Sequence, residues 1–386
     1  MIEQIPAVIA GAGPVGLSIA LDLSRRGIRS VVLERKQRLD PHSRATLLVP
    51  RSLQYFERLG VLDKLLAAGQ RNDAIRILRA TDHRPLFTFD FGMLADRTST
   101  PFALALSQDK TERILLDAAR TTGLVEVAFD TPFERFEQHR EKVLVAAGGG
   151  IAFETGVLVG ADGAHSSVRA QLGWELEGKT YRTRAVLADI RVSPESDIAD
   201  GWLADPKAAS FTIAIRFSKG VWRIIESAVP ETATDAALPE RARDLANAIF
   251  GPDAWRETLW VASYRKHERR SAQFVQGRVV LAGDSAHLNS PAGGQGMNAG
   301  LADAELLSNQ IAQMLDDPSR AVAFLAHYGN ERMGAFDHDI RGLTDKLEAM
   351  ETMPAWFRNL VFSAAGIARA MGVETYVARR LSMLSQ

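Results

Sequence analysis

The chain has 386 residues, a length that predicts two or three domains and excludes a small disulfide-held scaffold. It contains no cysteine, which excludes disulfides, cysteine-ligated zinc, iron–sulfur clusters and a thiolate nucleophile. Lys and Arg number 46 against 47 Asp and Glu, so the formal charge of −1 gives no overall field that favours nucleic acid or an acidic membrane. An enzyme of this composition needs another source for difficult chemistry, and no metal site is predicted.

Neither end of the chain carries a pattern that targets or spans a membrane. Met1–Gln4 lead directly into the apolar stretch Ala7–Ala10 without a basic region, so no secretory signal is expected. The longest uncharged stretch near the C-terminus, Asn359–Ala368, is far shorter than the ~20 apolar residues that span a bilayer. We expect a soluble, cytoplasmic protein. The segment Met350–Met371 could lie on a membrane as an amphipathic helix, although packing on the body of the protein is favoured.

The first predicted unit is a strand, a glycine-rich turn, a helix and a second strand. The strand Ala7–Ala10 is followed by G-x-G-x-x-G over Gly11–Gly16, and apolar residues then recur with helical spacing as far as Gly27. The second strand, Ser30–Leu33, ends at Glu34. This is a β-α-β unit.

Such a unit is typical of dinucleotide binding. The first glycine allows the tight turn, the second lets a pyrophosphate approach the backbone, and the third lets the helix pack closely. The helix N-terminus offers free N–H groups to an anion, and an acidic residue at the end of the second strand accepts hydrogen bonds from ribose. The alternative is a tight turn beside a surface glutamate. The predicted cofactor-binding residues here are Gly11, Gly13, Pro14, Val15, Gly16, Glu34 and Arg35.

The next part of the chain predicts further elements of the same domain and a detour from it. Apolar spacing over 53–66 predicts two short helices around a turn, and another helix is predicted over 109–121. Between them, residues 75–91 predict short strands that leave the first domain and return to it. A hairpin follows, and then a buried strand, Val157–Val159, that ends at Gly160.

The second half of the chain has a different hydrophobic pattern. Residues 184–227 alternate with period two, which predicts an antiparallel sheet, and a helix is predicted over 239–250. A buried strand, Val279–Ala282, ends at Gly283-Asp284. After Pro291 the pattern predicts helix to the end, with breaks near Pro318 and Pro354.

Motifs at two strand ends identify a family. Asp162-Gly163 opens the segment D-G-A-H-S-S-V-R, and Gly283-Asp284 opens G-D-S-A-H, followed by Pro291 and G-G-Q-G-M-N over 293–298. Together with the glycine-rich turn, and in this order, they closely resemble the group A flavoprotein aromatic hydroxylases, the para-hydroxybenzoate hydroxylase family. The resemblance extends from Ala7 to about Asp303, and the G-D segment is its most specific part.

The resemblance implies that the cofactor is FAD. Asp284 would accept a hydrogen bond from the ribityl chain, and Pro291 would lie beside the isoalloxazine. Gly294–Asn298 would lead into a helix whose N-terminus faces the flavin N1 and C2 carbonyl, where it stabilises the negative charge of reduced flavin. His287 matches the family pattern but is more often structural. The flavin-proximal residues implied are Pro291, Gly294, Gln295, Gly296, Met297 and Asn298, and Asp162, Gly163 and Gly283 join the cofactor set.

Two earlier residues match the family more weakly. Arg44 lies where relatives carry an arginine that contacts the FAD pyrophosphate. Gln108 lies where relatives contribute a glutamine beside the flavin, whereas Arg113 could equally be an ordinary surface residue. No second G-x-G-x-x-G is present, so NAD(P)H would bind transiently on the flavin domain. Arg44, His165 and Arg169 could take part in that step.

The resemblance also implies the reaction. NAD(P)H would reduce the bound FAD, O2 would add at the flavin C4a position, and the hydroperoxide would hydroxylate an electron-rich, aromatic or polyketide-like small molecule. The strand 211–217 in the covering sheet has an apolar face and a face carrying Thr212, Ala214 and Arg216, and either could meet the substrate. Arg216 could pair with an acidic substrate or face solvent. No motif assigns a catalytic base.

The expected fold is α/β, with a Rossmann-like FAD-binding domain of the GR2 type, an inserted antiparallel-sheet substrate domain and a C-terminal helical tail. The FAD domain would comprise 1–74, 101–180 and 268–340, the substrate domain 75–100 and 181–267, and the tail 341–386. Only about eighty residues follow Asp303, too few for the thioredoxin-like third domain of longer phenol hydroxylases.

Other functions of the same fold remain open. A flavin-dependent halogenase is disfavoured because no W-x-W-x-I-P segment is present. A flavin reductase or dehydrogenase would oxidise NAD(P)H with its substrate in the absence of O2. A non-enzymatic flavin-binding module would bind FAD without substrate-stimulated NAD(P)H consumption. We expect a monomer or homodimer that acts on a small molecule and binds no nucleic acid.

Overall fold

The computed structural model describes residues 2–41, 47–79, 84–196, 201–204, 212–229, 234–290, 294–342, 345, 349, 353, 379–380 and 382–384. Pro291, Arg44 and Phe211 lie outside these residues, as does most of the predicted tail. Among the described helices, none is both long and apolar enough to cross a bilayer.

A mostly parallel sheet forms the first layer of the fold. Five neighbouring strands run parallel in the order β18, β11, β1, β2, β8, and β10 and β17 pair antiparallel at one edge. The apolar runs of the central strands explain this arrangement, because both faces of the sheet are buried. The strands of this sheet are β1 (Glu3–Ala10), β2 (Ser30–Leu33), β8 (Val125–Ala128), β9 (Phe133–Gln138), β10 (Val143–Ala147), β11 (Ile151–Gly160), β17 (Val275–Gln276) and β18 (Val279–Leu281).

Helices cover this sheet and share its core with the strands. The helix after the glycine-rich turn, α1, packs against α4 and α7, and α8 packs on α7. The predicted helices over 53–66 and 109–121, and the break near Pro318, are confirmed. The helices are α1 (Pro14–Arg25), α2 (Pro50–Arg58), α3 (Leu62–Ala68), α4 (Gln108–Thr121), α5 (Ser167–Gln171), α6 (Leu238–Phe250), α7 (Gln295–Asp316) and α8 (Ala321–Ala335), with a π-helical turn at Phe336–Ile340.

A second, twisted sheet contains the predicted period-two strands. Its order is β19, β16, β12, β15, β14, β13, β5, β6, and only the β13–β5 pair is parallel. A small sheet consists of β3 (Leu47–Leu48), β7 (Ala103–Ala105) and β4 (Gln70–Asn72), and its β4 and β7 strands contact β14 of the larger sheet. The larger sheet consists of β5 (Ala74–Arg79), β6 (Pro85–Asp90), β12 (Leu176–Val192), β13 (Gly201–Ala204), β14 (Thr212–Ser218), β15 (Val221–Val229), β16 (Trp255–Ser271) and β19 (His287–Leu288).

The longest strand that sequence reasoning missed is β16. Its sequence, W-R-E-T-L-W-V-A-S-Y-R-K-H-E-R-R-S, has charged residues at both parities, so no period-two alternation is visible, and its one apolar run, Leu259–Ala262, is only four residues long. It nevertheless pairs with β12 along most of its length. Lys266 and Glu268 on this strand are almost fully buried, because ion pairs and aromatic contacts with neighbouring elements compensate their charges.

Candidate cofactor and substrate site

The three sequence motifs meet at one edge of the parallel sheet. The N–H of Gly11 donates to the carbonyl of Leu33 at 2.7 Å, which joins the ends of β1 and β2. The N–H of Ala161 donates to Ala10 at 2.8 Å, and that of Ala282 donates to Gly160 at 3.0 Å. Because carboxyl ends of parallel strands share an edge, the glycine-rich turn and the D-G and G-D segments lie side by side.

The glycine-rich turn has both the tightness and the open space that a diphosphate needs. Gly11 has φ +106°, and a Cβ there would lie 2.3 Å from the carbonyl oxygen of Ala161. A Cβ at Gly16 would lie 2.0 Å from the carbonyl oxygen of Gly11. By contrast, a Cβ at Gly13 would meet no atom of the described residues within 4 Å. No side chain of the described residues caps the α1 N-terminus, so its positive end is available to an anion.

Glu34 is held against this turn at the end of β2. Its Oε2 accepts the N–H of Ala12 at 2.9 Å, and its Oε1 accepts the N–H of Lys36 at 2.9 Å. Each carboxylate oxygen retains a further lone pair, which a ribose hydroxyl could use. Arg35 beside it is exposed.

The D-G segment combines a helix cap with an unused oxygen. Asp162 Oδ2 accepts the N–H groups of Ser167 and Val168 at 2.7 and 3.2 Å and so caps α5. Its Oδ1 is buried and has no hydrogen-bond partner among the described residues. The Arg169 guanidinium donates to the carbonyls of Ser285 and Ala164 at 2.9 and 2.8 Å, which ties this segment to the G-D segment. His165 is exposed.

A buried carboxylate on α7, that of Asp303, anchors the G-D turn. Gly283 has φ +65°, and its N–H donates to Asp303 Oδ2 on α7 at 2.8 Å. The same carboxyl group binds His287 Nε2 at 2.7 Å and Arg332 Nε at 2.6 Å. Burial alone would raise the pKa of Asp303, but the charges of His287 and Arg332 lower it to about 2. Asp284 itself is exposed at this edge.

The start of α7 is fixed by Asn298. Its Nδ2 donates to the carbonyls of Leu47 and Gly294, each at 2.8 Å. Its Oδ1 accepts the N–H of Val49 at 3.1 Å and the hydroxyl of Ser52 at 2.7 Å. The side chain is therefore fully used within the protein. Any contact from this residue to a flavin would come through the backbone of the helix start, whose first residues are Gln295, Gly296 and Met297.

Gln108 begins α4 and is bound to a buried carboxyl group. Its Nε2 donates to Glu112 Oε1 at 2.7 Å. Burial raises the pKa of Glu112 to about 7, although the hydrogen bond from Gln108 opposes the rise. Arg113 is exposed and lies 3.6 Å from Asp109, as expected for a surface residue.

Asn289 is a candidate that sequence reasoning did not identify. It follows β19 and lies two residues before Pro291, and both polar atoms of its side chain are buried without a hydrogen-bond partner in the described structure. Buried amides normally have partners, so this side chain is suited to a ligand atom. The signal available in the sequence was only its proximity to Pro291.

A cavity of about 300 Å³ separates the start of α4 from the antiparallel sheet. Its floor is an ion pair in which Arg223 Nε and Nη2 donate to the two carboxylate oxygens of Asp189 at 2.7 and 2.8 Å. The Arg223 side chain is almost fully buried, and its guanidinium lies 4.9 Å from the Phe217 ring and 5.6 Å from the Trp260 ring. Across the cavity lie Ala105, Leu106, Ser107, Asp109 and Lys110.

The packing of β15 and α6 against β14 determines which of its two faces borders the cavity. Ala214 and Arg216 pair with Ile224 and Trp222 of β15, and Ala214, Ile224 and Trp222 pack in the core that α6 covers. The Arg216 guanidinium lies 5.8 Å from the Trp222 ring, on that side of the sheet. Ile215 instead pairs with Arg223, so the apolar face of β14 is turned towards the cavity. The suggested contact between Arg216 and the substrate stays a prediction that this placement does not support.

These features fit a dinucleotide cofactor. Gly13 leaves open space beside the turn, and no side chain of the described residues caps the N–H donors at the start of α1. The buried acceptor Asp162 Oδ1 has no hydrogen-bond partner among these residues either. With a cavity beneath a covering sheet, the fold and site define a dinucleotide-binding protein that takes a small-molecule ligand.

Comparison with known proteins gives the particular family. The family described as FAD binding domain matches residues 4–337, so the chain belongs to it. The chain is 28% identical to the para-nitrophenol 4-monooxygenase of Pseudomonas sp. (strain WBC-3), over 85% of this chain and 83% of that protein. It is 32% identical to the 6-methylpretetramide 4-monooxygenase of Streptomyces rimosus over 84% of this chain, and spans 58% of that relative.

A solved structure agrees with these relatives. The p-nitrophenol 4-monooxygenase of Pseudomonas putida DLL-E4 superposes with a TM-score of 0.88 at 25% identity, covering 99% of each chain. The expected group A flavoprotein hydroxylase class and α/β fold are thereby confirmed. The chain is an FAD-dependent monooxygenase, and NAD(P)H and O2 are the co-substrates typical of this family.

Proposed function

We propose that this chain transfers one oxygen atom from O2 to an electron-rich aromatic or polyketide-like small molecule, with NAD(P)H as the electron donor. The observation that carries the proposal is the 300 Å³ cavity between the antiparallel sheet and the start of α4, which Phe217 and Trp260 help to line. FAD, when bound, supplies the electron transfer and O2 activation that no side chain of this protein can provide.

The cofactor contacts in this proposal are those of the motifs. The α1 N-terminus would bind the diphosphate, Glu34 the ribose, and Asp284 the ribityl chain. The start of α7 would place its positive end beside the ring system and stabilise negative charge there. Arg35, Arg44, Gln108 and Pro291 remain part of the proposed set.

The lining of the cavity favours a planar, largely apolar substrate. Phe217 and Trp260 provide aromatic walls, and the apolar face of β14 continues from them. The charged lining residues occur in opposite signs, Asp189 with Arg223 and Asp109 with Lys110, so no excess charge selects an ionic substrate. This matches a phenol or a larger fused-ring compound better than a polyanion. Exclusion of water by this cover would limit wasteful release of hydrogen peroxide.

The division into an FAD domain (1–74, 101–180, 268–340), a substrate domain (75–100, 181–267) and a tail (341–386) belongs to the same proposal. It is supported by the parallel sheet lying within the first set of ranges. A cytoplasmic location and a monomeric or homodimeric state are also proposed, and the absence of cysteine is compatible with a reducing compartment.

The test is a screen of phenolic and polycyclic compounds with purified, FAD-loaded protein. We expect a subset to stimulate NAD(P)H oxidation and to gain one oxygen atom, with the label from ¹⁸O2 recovered in the product by mass spectrometry. The Asp284→Ala variant should lose most of its bound FAD, seen as loss of the yellow flavin absorbance.

The alternatives predict different results. A reductase or dehydrogenase would continue substrate-dependent NAD(P)H oxidation in the absence of O2. A flavin-binding module would be yellow yet show no stimulation by any compound. Stimulated oxidation without labelled product would refute the monooxygenase proposal.

A further inference from the structure

Asp303 connects three elements around the predicted flavin site, although no motif argument assigned it a role. It is fully buried on α7, nine residues after Gly294. Its Oδ2 accepts both the Gly283 N–H and His287 Nε2, and its Oδ1 accepts Arg332 Nε from α8. One carboxylate therefore joins the G-D turn, the strand that follows it and two helices.

The turn that Asp303 holds has little freedom elsewhere. A Cβ at Gly283 would lie 2.9 Å from Val15 Cγ2, and one at Gly300 of α7 would lie 2.6 Å from the same atom. The G-D turn is thus wedged between the glycine-rich turn and α7. Because Asp284 directly follows Gly283, any displacement of the Gly283 N–H would move Asp284 relative to the other residues proposed to contact the cofactor.

The charges around Asp303 are arranged to keep it ionised and in one orientation. Arg332 is 4% exposed, and His287 lies between the Phe274 and Phe336 rings at 5.8 and 5.5 Å. A buried ion pair gives little net stability compared with apolar packing of the same volume. Its more specific consequence is geometric, since it fixes the directions of the three donors.

We propose that Asp303 is a positioning residue for FAD, acting through the Gly283 N–H to hold the Gly283–Asp284 turn against α7, while His287 and Arg332 fix its carboxylate. The inference rests on FAD binding at this edge of the sheet. It goes beyond the proposed function because Asp303 is fully buried, binds donors from the protein, and is not one of the residues that the sequence motifs assign to the cofactor.

The first test compares Asp303→Asn with Glu226→Gln. Glu226 is a matched control: it is 6% exposed and accepts two hydrogen bonds from Arg241, both at 2.6 Å, between β15 and α6. Each variant converts a buried, arginine-paired carboxylate to an amide. The dissociation constant for FAD, the spectrum of the bound flavin and the melting temperature of the apoprotein are measured for both.

We expect Asp303→Asn to weaken FAD binding about 10- to 100-fold, as for loss of a hydrogen bond to a charged group, and to alter the bound flavin spectrum. Glu226→Gln should lower the melting temperature but leave the FAD dissociation constant within about twofold of wild type. Equal FAD affinities for wild type and Asp303→Asn, or equal losses in the two variants, would overturn the inference. A wild type that binds no FAD would overturn the proposed function together with the inference.

A second pair covers the case in which Asp303→Asn does not fold. His287→Gln keeps an N–H donor for Asp303, whereas His287→Leu fills similar space without one. We expect an FAD affinity close to that of the wild type in His287→Gln and a clearly weaker affinity in His287→Leu. Equal affinities in these two variants would contradict it, whatever their melting temperatures.

Discussion

Replacing Glu112 with glutamine should remove a pH-dependent loss of stability. Glu112 is 6% exposed on α4, with Asp109 and Asp40 raising its pKa and Lys36 lowering it. Its pKa rises from 4.5 to about 7, mainly because of burial. The native state therefore holds this proton more tightly than the unfolded chain does, and stability falls as pH rises from 4.5 through 7.

The magnitude follows from the size of the pKa change. At ~1.4 kcal/mol per pKa unit, the rise corresponds to about 3 kcal/mol lost by wild type between pH 4.5 and pH 8. Glutamine is neutral at every pH and can still accept the hydrogen bond from Gln108 Nε2. We therefore expect equal unfolding free energies near pH 4.5 and a gain of up to about 3 kcal/mol for the variant at pH 8.

The assay is urea unfolding of the apoprotein at several pH values, because bound FAD would add its own contribution to stability. Asp117→Asn is the control, since it makes the same chemical change at an exposed position of the same helix. Its difference from wild type should not vary in the same way with pH. A Glu112→Gln difference that is constant or shrinks as pH rises would refute the reasoning.

Further predictions concern the glycine-rich turn and the covering sheet. Gly13→Ala should leave the apoprotein melting temperature unchanged but weaken FAD binding at least tenfold, because its Cβ meets only the space reserved for the cofactor; unaltered affinity in a titration would contradict this. Gly11→Ala should impair folding itself, seen as a lower melting temperature, because its Cβ would lie 2.3 Å from the Ala161 carbonyl oxygen. Phe217→Ala should raise KM for an aromatic substrate severalfold, whereas Arg216→Ala should leave KM unchanged; the opposite ranking in steady-state kinetics would place the substrate on the helix-covered face.

Elements with strong local signals could be predicted from the sequence. The β-α-β unit and the strands ending at Gly160 and Gly283 were recognisable because each apolar run stops at a glycine. Strand β16 was not, because its charges are compensated by partners distant in the chain, such as Arg341 for Glu268. Hydropathy reports the transfer of one residue from water, and it does not include the ion pairs that make such burial possible.

The facing of the substrate sheet shows a second limit of sequence reasoning. Period two divides β14 into two faces but does not say which face a helix will cover. Here α6, packed on Trp222 and Ile224, takes the face that carries Arg216. The polar face of the strand is therefore under a helix, and the apolar face borders the cavity.

Some residues of the predicted site make a different kind of contact in the structure from the one that the motifs suggest. Motif matching suggests side chains that touch the cofactor, yet Asn298 and Arg169 use theirs to bind backbone carbonyls of neighbouring elements. Their hydrogen bonds set the relative positions of α7, the D-G segment and the G-D turn. Much of the recognition at this edge must then come from backbone N–H groups and helix ends, which no substitution other than proline removes directly. Substitutions of Asn298 or Arg169 should therefore first change the position in which the cofactor is bound. A change in the flavin spectrum that accompanies the change in FAD affinity would distinguish this effect from the simple loss of a direct contact with FAD.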